Sequence, residues 1–99
     1  MFGILIVYRL RSPHNPNRAS DLVKKLYGQK TSSHKGRYTY RRKGLLDDIP
    51  SIRLIRGVLI VRIEDKDPIV SLLDSFDAEI FIREIVLTEE DKKALNLED

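Results

Sequence analysis

Between Lys24 and Lys43 the chain places eight basic side chains and no acidic one within twenty residues, with Tyr27, Tyr38 and Tyr40 set among them. Dense positive charge of this kind suits a polyanion, because each phosphate it neutralises releases condensed counterions. The aromatic rings add a second capacity, since unpaired bases stack on them with about 1–3 kcal/mol per base. Lys24, Lys25, Lys30, Lys35, Arg37, Arg41, Arg42 and Lys43 are therefore the candidate phosphate contacts, and Tyr38 and Tyr40 the candidate stacking platforms. On a strand over 37–43, Arg37, Thr39, Arg41 and Lys43 share one face, and Tyr38, Tyr40 and Arg42 share the other. The plain alternative is a solvated edge strand, charged against edge-to-edge aggregation, with its tyrosines packed inward. A run this long without an acid exceeds what edge protection needs.

The stretch Thr31-Ser32-Ser33-His34-Lys35-Gly36 gathers hydroxyls, an imidazole and an ammonium. Such groups can cradle a phosphate, but the Gly-x-x-x-x-Gly-Lys-Ser/Thr spacing of a P-loop is missing and an ordinary polar connection is the favoured reading. His34, with Lys35 and Tyr38, is the one candidate for metal-free acid–base cleavage of RNA, because an imidazole titrates near neutrality. A lone histidine in a basic loop is more often a surface residue, so the reading is a binding protein rather than an enzyme. Asp47 and Asp48 are adjacent on a turn and diverge too readily to hold one metal ion. His14 and His34 lack further ligands, and neither a metal nor a cofactor is expected.

The net charge of +3 conceals a division. Residues 1–62 carry 14 basic against 3 acidic side chains, giving +11, while residues 63–99 carry 4 against 12, giving −8. An anionic partner for the first part follows from this asymmetry. The acidic part is read as the solvated face of the later helices, or as a surface for a basic patch on another chain, including a second copy, which makes a homodimer or larger protein complex the alternative function. Ninety-nine residues allow one domain, 1–99, and the absence of cysteine removes disulfides, thiolate metal sites and thiol nucleophiles. A reducing, cytoplasmic setting is expected. The apolar start Phe2–Val7 is too short for a membrane span and lacks the flanks of a signal peptide. High charge with one Met, one Gln and no Cys is a thermophile-type bias.

These residues need elements to position them. A strand is predicted over 2–10, followed by a loop at Ser12–Asn17. A helix capped by Asn17 or Ser20 follows, with Ala19, Leu22, Val23 and Leu26 as its stripe and Gly28 as its stop. Residues 29–36 read as a polar loop and 37–43 as a second strand. A helical turn is expected near Leu45–Ile49. A third strand covers 52–63 with Gly57 as a bulge, preferred over a tight Arg56-Gly57 hairpin because Ile52–Ile55 alone is short. Asp67-Pro68 opens a second helix with Ile69, Leu72, Leu73 and Phe76 inward. A fourth strand covers 78–87, and Thr88-Glu89-Glu90-Asp91 is a capping box for a short terminal helix to about Leu95.

The order is β-α-β-β-α-β plus a helix, an α+β, ferredoxin-like sandwich with a four-stranded antiparallel sheet. Gly3–Val7 and Val58–Val61, the most continuously apolar strands, take the centre, and the charged second strand takes an edge. Lys35-Gly36-Arg37-Tyr38-Thr39-Tyr40 has a passing likeness to the Lys/Arg-Gly-aromatic signature of RNA-recognition modules, but it departs at the third position and falls before the wrong strand. The metal-dependent nuclease of CRISPR spacer acquisition is similar in size and order, yet its aspartate after the first strand is replaced by Arg9-Leu10-Arg11. What remains resembles short, uncharacterised archaeal proteins in general make-up, a likeness that implies no activity.

Overall fold

The computed structural model describes residues 1–11, 16–33 and 38–97 and, within these, the side chains of all but 16, 30–33 and 38–40. Strand β1 (Phe2–Leu10) runs through the middle of the main sheet. Its alternation splits two apolar sets: Ile4, Ile6, Tyr8 and Leu10 turn to one core, while Leu5 turns to another. Both faces being covered explains why this strand is apolar on both sides as far as Val7.

Helix α1 (Pro16–Tyr27) begins at its proline, ahead of the expected caps Asn17 and Ser20, which lie inside it. The first position suits proline because its missing N–H has no intrahelical partner anyway. Leu22 and Leu26 are buried against β1. Gly28 ends the helix at φ 85°, and its N–H donates to the Lys24 carbonyl at 2.8 Å.

The next segment departs from expectation. Residues 29–33 are a strand, β2 (Gln29–Ser33), paired antiparallel with β3 (Tyr38–Arg42) from Gln29↔Arg42 to Ser33↔Tyr38. This two-stranded sheet is separate from the main one, so the charged strand is not the main sheet's edge. A ladder of backbone hydrogen bonds needs no burial, and β2 has no apolar residue whose alternation would announce it.

After a 3-10 turn at Leu45–Asp47 the chain forms β4 (Ser51–Ile55), turns at Arg56-Gly57, and returns as β5 (Val58–Val61). The expected bulged single strand is therefore a hairpin. Gly57 adopts φ 85°, and its carbonyl accepts the Tyr8 N–H at 2.9 Å, which locks the turn onto β1. Beyond a second 3-10 turn at Ile63–Asp65, α2 (Lys66–Ser75) begins two residues before Pro68. Its cap position is Asp65, not Asp67, and the Asp65 carboxylate is taken by Arg62 Nε at 2.6 Å rather than by the helix.

Strand β6 (Ala78–Val86) pairs with β1 without interruption, giving the order β4-β5-β1-β6 with every pair antiparallel. Helix α3 (Glu89–Ala94) starts from the expected box: Thr88 Oγ1 accepts the Asp91 N–H at 3.0 Å, and the Asp91 carboxylate accepts the Thr88 N–H at 3.1 Å.

Helices α1 and α2 cover one face of the sheet, enclosing Ile6, Leu26, Leu59, Val61, Ile69 and Leu73. Each such side chain removed from water contributes roughly 1.5–3 kcal/mol. Leu95, beyond α3, packs on the other face with Ile60 and Leu87. The whole is a mixed α and β architecture around a four-stranded antiparallel sheet.

Candidate functional site

The last turn of α1 exposes Lys24 and Lys25, and the backbone of Arg42 lies directly against Gly28 beyond it. A Cβ on Gly28 would strike the Arg42 carbonyl, and one on Gly44 would overlap the Gly28 nitrogen and the Leu26 carbonyl. Two glycines thus form a neck through which the β2–β3 hairpin leaves and rejoins the body. This is what brings the basic residues of helix end and hairpin base together.

Arg41 closes that neck. Its Nη1 donates to Asp47 Oδ2 at 2.9 Å, its Nη2 to Asp47 Oδ1 at 2.7 Å and to the Tyr27 carbonyl at 3.1 Å. Asp47 Oδ2 also accepts the Gly44 N–H at 2.7 Å. These hydrogen bonds hold the Asp47 carboxyl below the ordinary carboxylate range and push the Arg41 guanidinium higher. Arg41, expected as a phosphate contact, is therefore engaged by a carboxylate and the backbone. The fork-on-carboxylate geometry fixes the hairpin base to α1.

Asp48 turns away from Asp47 to Lys43 at 3.3 Å, so the two aspartates do not converge. Lys24, Lys25 and Arg42 have no ion-pair partner among the described residues, and Lys43 is paired only across an exposed surface. Lys30 stands opposite Arg41 in the ladder, Tyr40 opposite Thr31 and Tyr38 opposite Ser33. His14, His34, Lys35 and Arg37 lie outside the described residues.

The fold adds residues that the spacing does not reveal. The Arg53 guanidinium lies over the Tyr27 ring, 4.5 Å from its centroid. Tyr8 reaches the same place from β1. Burial, and then the neighbouring Tyr27 hydroxyl, push the Tyr8 phenol well above its ordinary range, while Arg53 and Arg56 pull it down. The Tyr27 hydroxyl is buried, with the Tyr8 hydroxyl as its neighbour. Only the β4–β5 hairpin, folded back onto Tyr8 through Gly57, brings Arg53 and Arg56 here. With 52–63 read as one strand, no sequence signal places them beside Tyr27.

The assembled surface carries Lys24, Lys25, Arg42, Lys43, Arg53 and Arg56 around a tyrosine pair. Chemically its described residues offer positive charge. Among the described residues no three His, Cys, Asp or Glu side chains converge as a metal site would require, and no helix is long and apolar enough to cross a membrane. Compared with models of protein families, with curated proteins and with solved structures, the chain matches none.

Proposed function

We propose that the chain binds nucleic acid through its phosphate backbone, without catalysing a reaction on it. The observation that carries this reading is the acid-free basic run from Lys24 to Lys43, whose described members Lys24, Lys25 and Arg42 are exposed beside one another with no carboxylate engaging them. Lys30, Lys35 and Arg37 add to the same charge in the sequence, and Tyr38 and Tyr40 supply stacking for unpaired bases. Arg53 and Arg56 widen the surface. Arg41 serves it indirectly, by holding the hairpin base in place.

The path β1-α1-β4-β5-α2-β6 supports a ferredoxin-like reading of the body, with β2–β3 as an inserted hairpin between α1 and β4. The insertion then carries the partner-binding charge, and the body presents it.

Filter binding with single- and double-stranded DNA and RNA across a salt series tests the proposal. Affinity falls steeply with salt, and Lys24→Ala with Lys25→Ala and Arg42→Ala weakens every probe and lowers the salt slope by roughly one for each phosphate no longer neutralised. No binding at low salt, or binding indifferent to salt, overturns it.

A further inference from the structure

The two edges of the main sheet are built differently. The outer strand β4 is five residues long, its pairing with β5 slips between Arg53 and Ile55, and it carries Arg53 and is followed by Arg56 in the turn. Short length, irregular register and charge are the usual protections of an edge. The other outer strand, β6, is neither short nor irregular, and the charges it carries, Glu79, Arg83 and Glu84, are of both signs. It runs nine residues as Ala-Glu-Ile-Phe-Ile-Arg-Glu-Ile-Val, holds unbroken register with β1 from Phe2↔Val86 to Leu10↔Ala78, and contains neither proline nor lysine. Phe81 and Val86 on it are 48% and 69% exposed.

The direction of its free groups follows from the ladder. The Leu87 N–H donates to the Met1 carbonyl at 3.0 Å, so the odd-numbered residues of β6 exchange hydrogen bonds with β1. The N–H and C=O groups of Ala78, Ile80, Ile82 and Glu84 therefore point outward along the edge. Among the described residues, the hydrogen bond these outward groups receive comes from Arg83 Nη1, which donates to the Ile82 carbonyl at 2.8 Å.

We infer that β6 is a homodimerisation edge, pairing antiparallel with β6 of a second copy about a two-fold axis at Phe81. In this register the outward residues meet outward residues: Ile80 and Ile82 face Ile82 and Ile80 of the second copy, and Ala78 and Glu84 face Glu84 and Ala78. Each pair exchanges two backbone hydrogen bonds. Phe81 meets Phe81 as a non-hydrogen-bonded pair, where side chains approach most closely. On the same face Arg83 meets Glu79 of the second copy, twice, and Glu79 is already flanked by its own Arg9 at 2.7 Å. Shifting the axis to Ile82 sets Arg83 against Phe81 and Glu79 against Ile85, so charge complementarity selects the Phe81 register. Arg83 then leaves the Ile82 carbonyl, which an Ile80 N–H takes over, and joins the carboxylate. Two four-stranded sheets become one of eight strands. The basic surface lies across the sheet from β6, beyond β5, and is left uncovered.

Analytical ultracentrifugation of the full chain tests the pairing. The wild type sediments as a dimer of twice the 11.5 kDa chain mass. Arg83→Glu alone and Glu79→Arg alone each set like charges opposite one another in both symmetric pairs and weaken self-association at least about tenfold. Mixing the two variants restores opposite charges and yields a heterodimer, while circular dichroism shows each folded. A monomeric wild type at about 0.1 mM overturns the inference. So does a dimer that neither reversal weakens, or a mixture that fails to associate.

Discussion

A guanidinium held in two hydrogen bonds by one carboxylate is a poor phosphate ligand, because releasing it leaves Asp47 and the Tyr27 carbonyl without their donor. Arg42, next in the chain, has no such partner among the described residues and remains available. The sequence presents the two arginines as equals, and the acid that separates them lies six residues on, at a turn that reads as unremarkable. Tyr8 is the other residue whose behaviour follows from its neighbours. Its raised phenol pKa means that the folded state favours the neutral form. That contribution is complete below the ordinary tyrosine value of 10.0 and is lost as pH rises from there toward the higher folded value. Stability therefore declines on the alkaline side between about pH 10 and 12, and Tyr8→Phe makes that decline shallower. Thermal melts across this range, with absorbance at the phenolate band, measure it; superimposable profiles for wild type and variant contradict the assignment.

At the scale of elements, the β2–β3 hairpin depends on the close passage of Gly28 and Gly44. Gly44→Ala forces a methyl group into the Leu26 carbonyl and the Gly28 nitrogen, neither of which is a flexible side chain. The expected cost is about 2–3 kcal/mol of stability, with a matching loss of nucleic-acid affinity as the hairpin base shifts. Chemical denaturation with the filter assay follows both. A destabilised variant that binds normally separates the hairpin from the proposed interface. Local sequence signals served unevenly among these elements. The Thr88 box, the Gly28 stop and the apolar stripe of α1 are readable because cap and period act within one or two turns. Strand β2 is not readable, because Gln29–Ser33 carries no apolar alternation and owes its conformation to β3. The Arg56-Gly57 turn was visible as an alternative, and the pairing of both arms with the rest of the sheet decides for it.

Across the whole molecule, the sheet separates two apolar layers of unequal size. Leu26 and Leu95 are both fully buried, on opposite faces. Leu26→Ala is expected to lower global stability by about 2–5 kcal/mol, whereas Leu95→Ala first loosens residues 89–94. Amide hydrogen exchange distinguishes the two, and equal loss of protection everywhere in both variants contradicts a layered division. The charge asymmetry has a matching geometry. Arg9 and Arg11 meet Glu79 and Asp77 from the acidic part, at 2.7 and 3.9 Å, so some of the +11 is met within the fold, while Lys24, Lys25 and Arg42 have no ion-pair partner among the described residues.

By itself the sequence determined most of the element types and their order, many of the residues that fill the core, the Thr88 box and the Gly28 stop, and the concentration of positive charge between Lys24 and Lys43. All of these follow from interactions within a few residues or from composition. Tertiary structure alone decided that the charged strand pairs with β2 and leaves the sheet edge to β4. It also decided that Arg53 stacks on Tyr27, far back along the chain, and that β6 stands as the long, regular outer strand of the sheet. Strand partnership is set by which distant backbone groups and side chains can be satisfied together, and no local period along the chain records that choice.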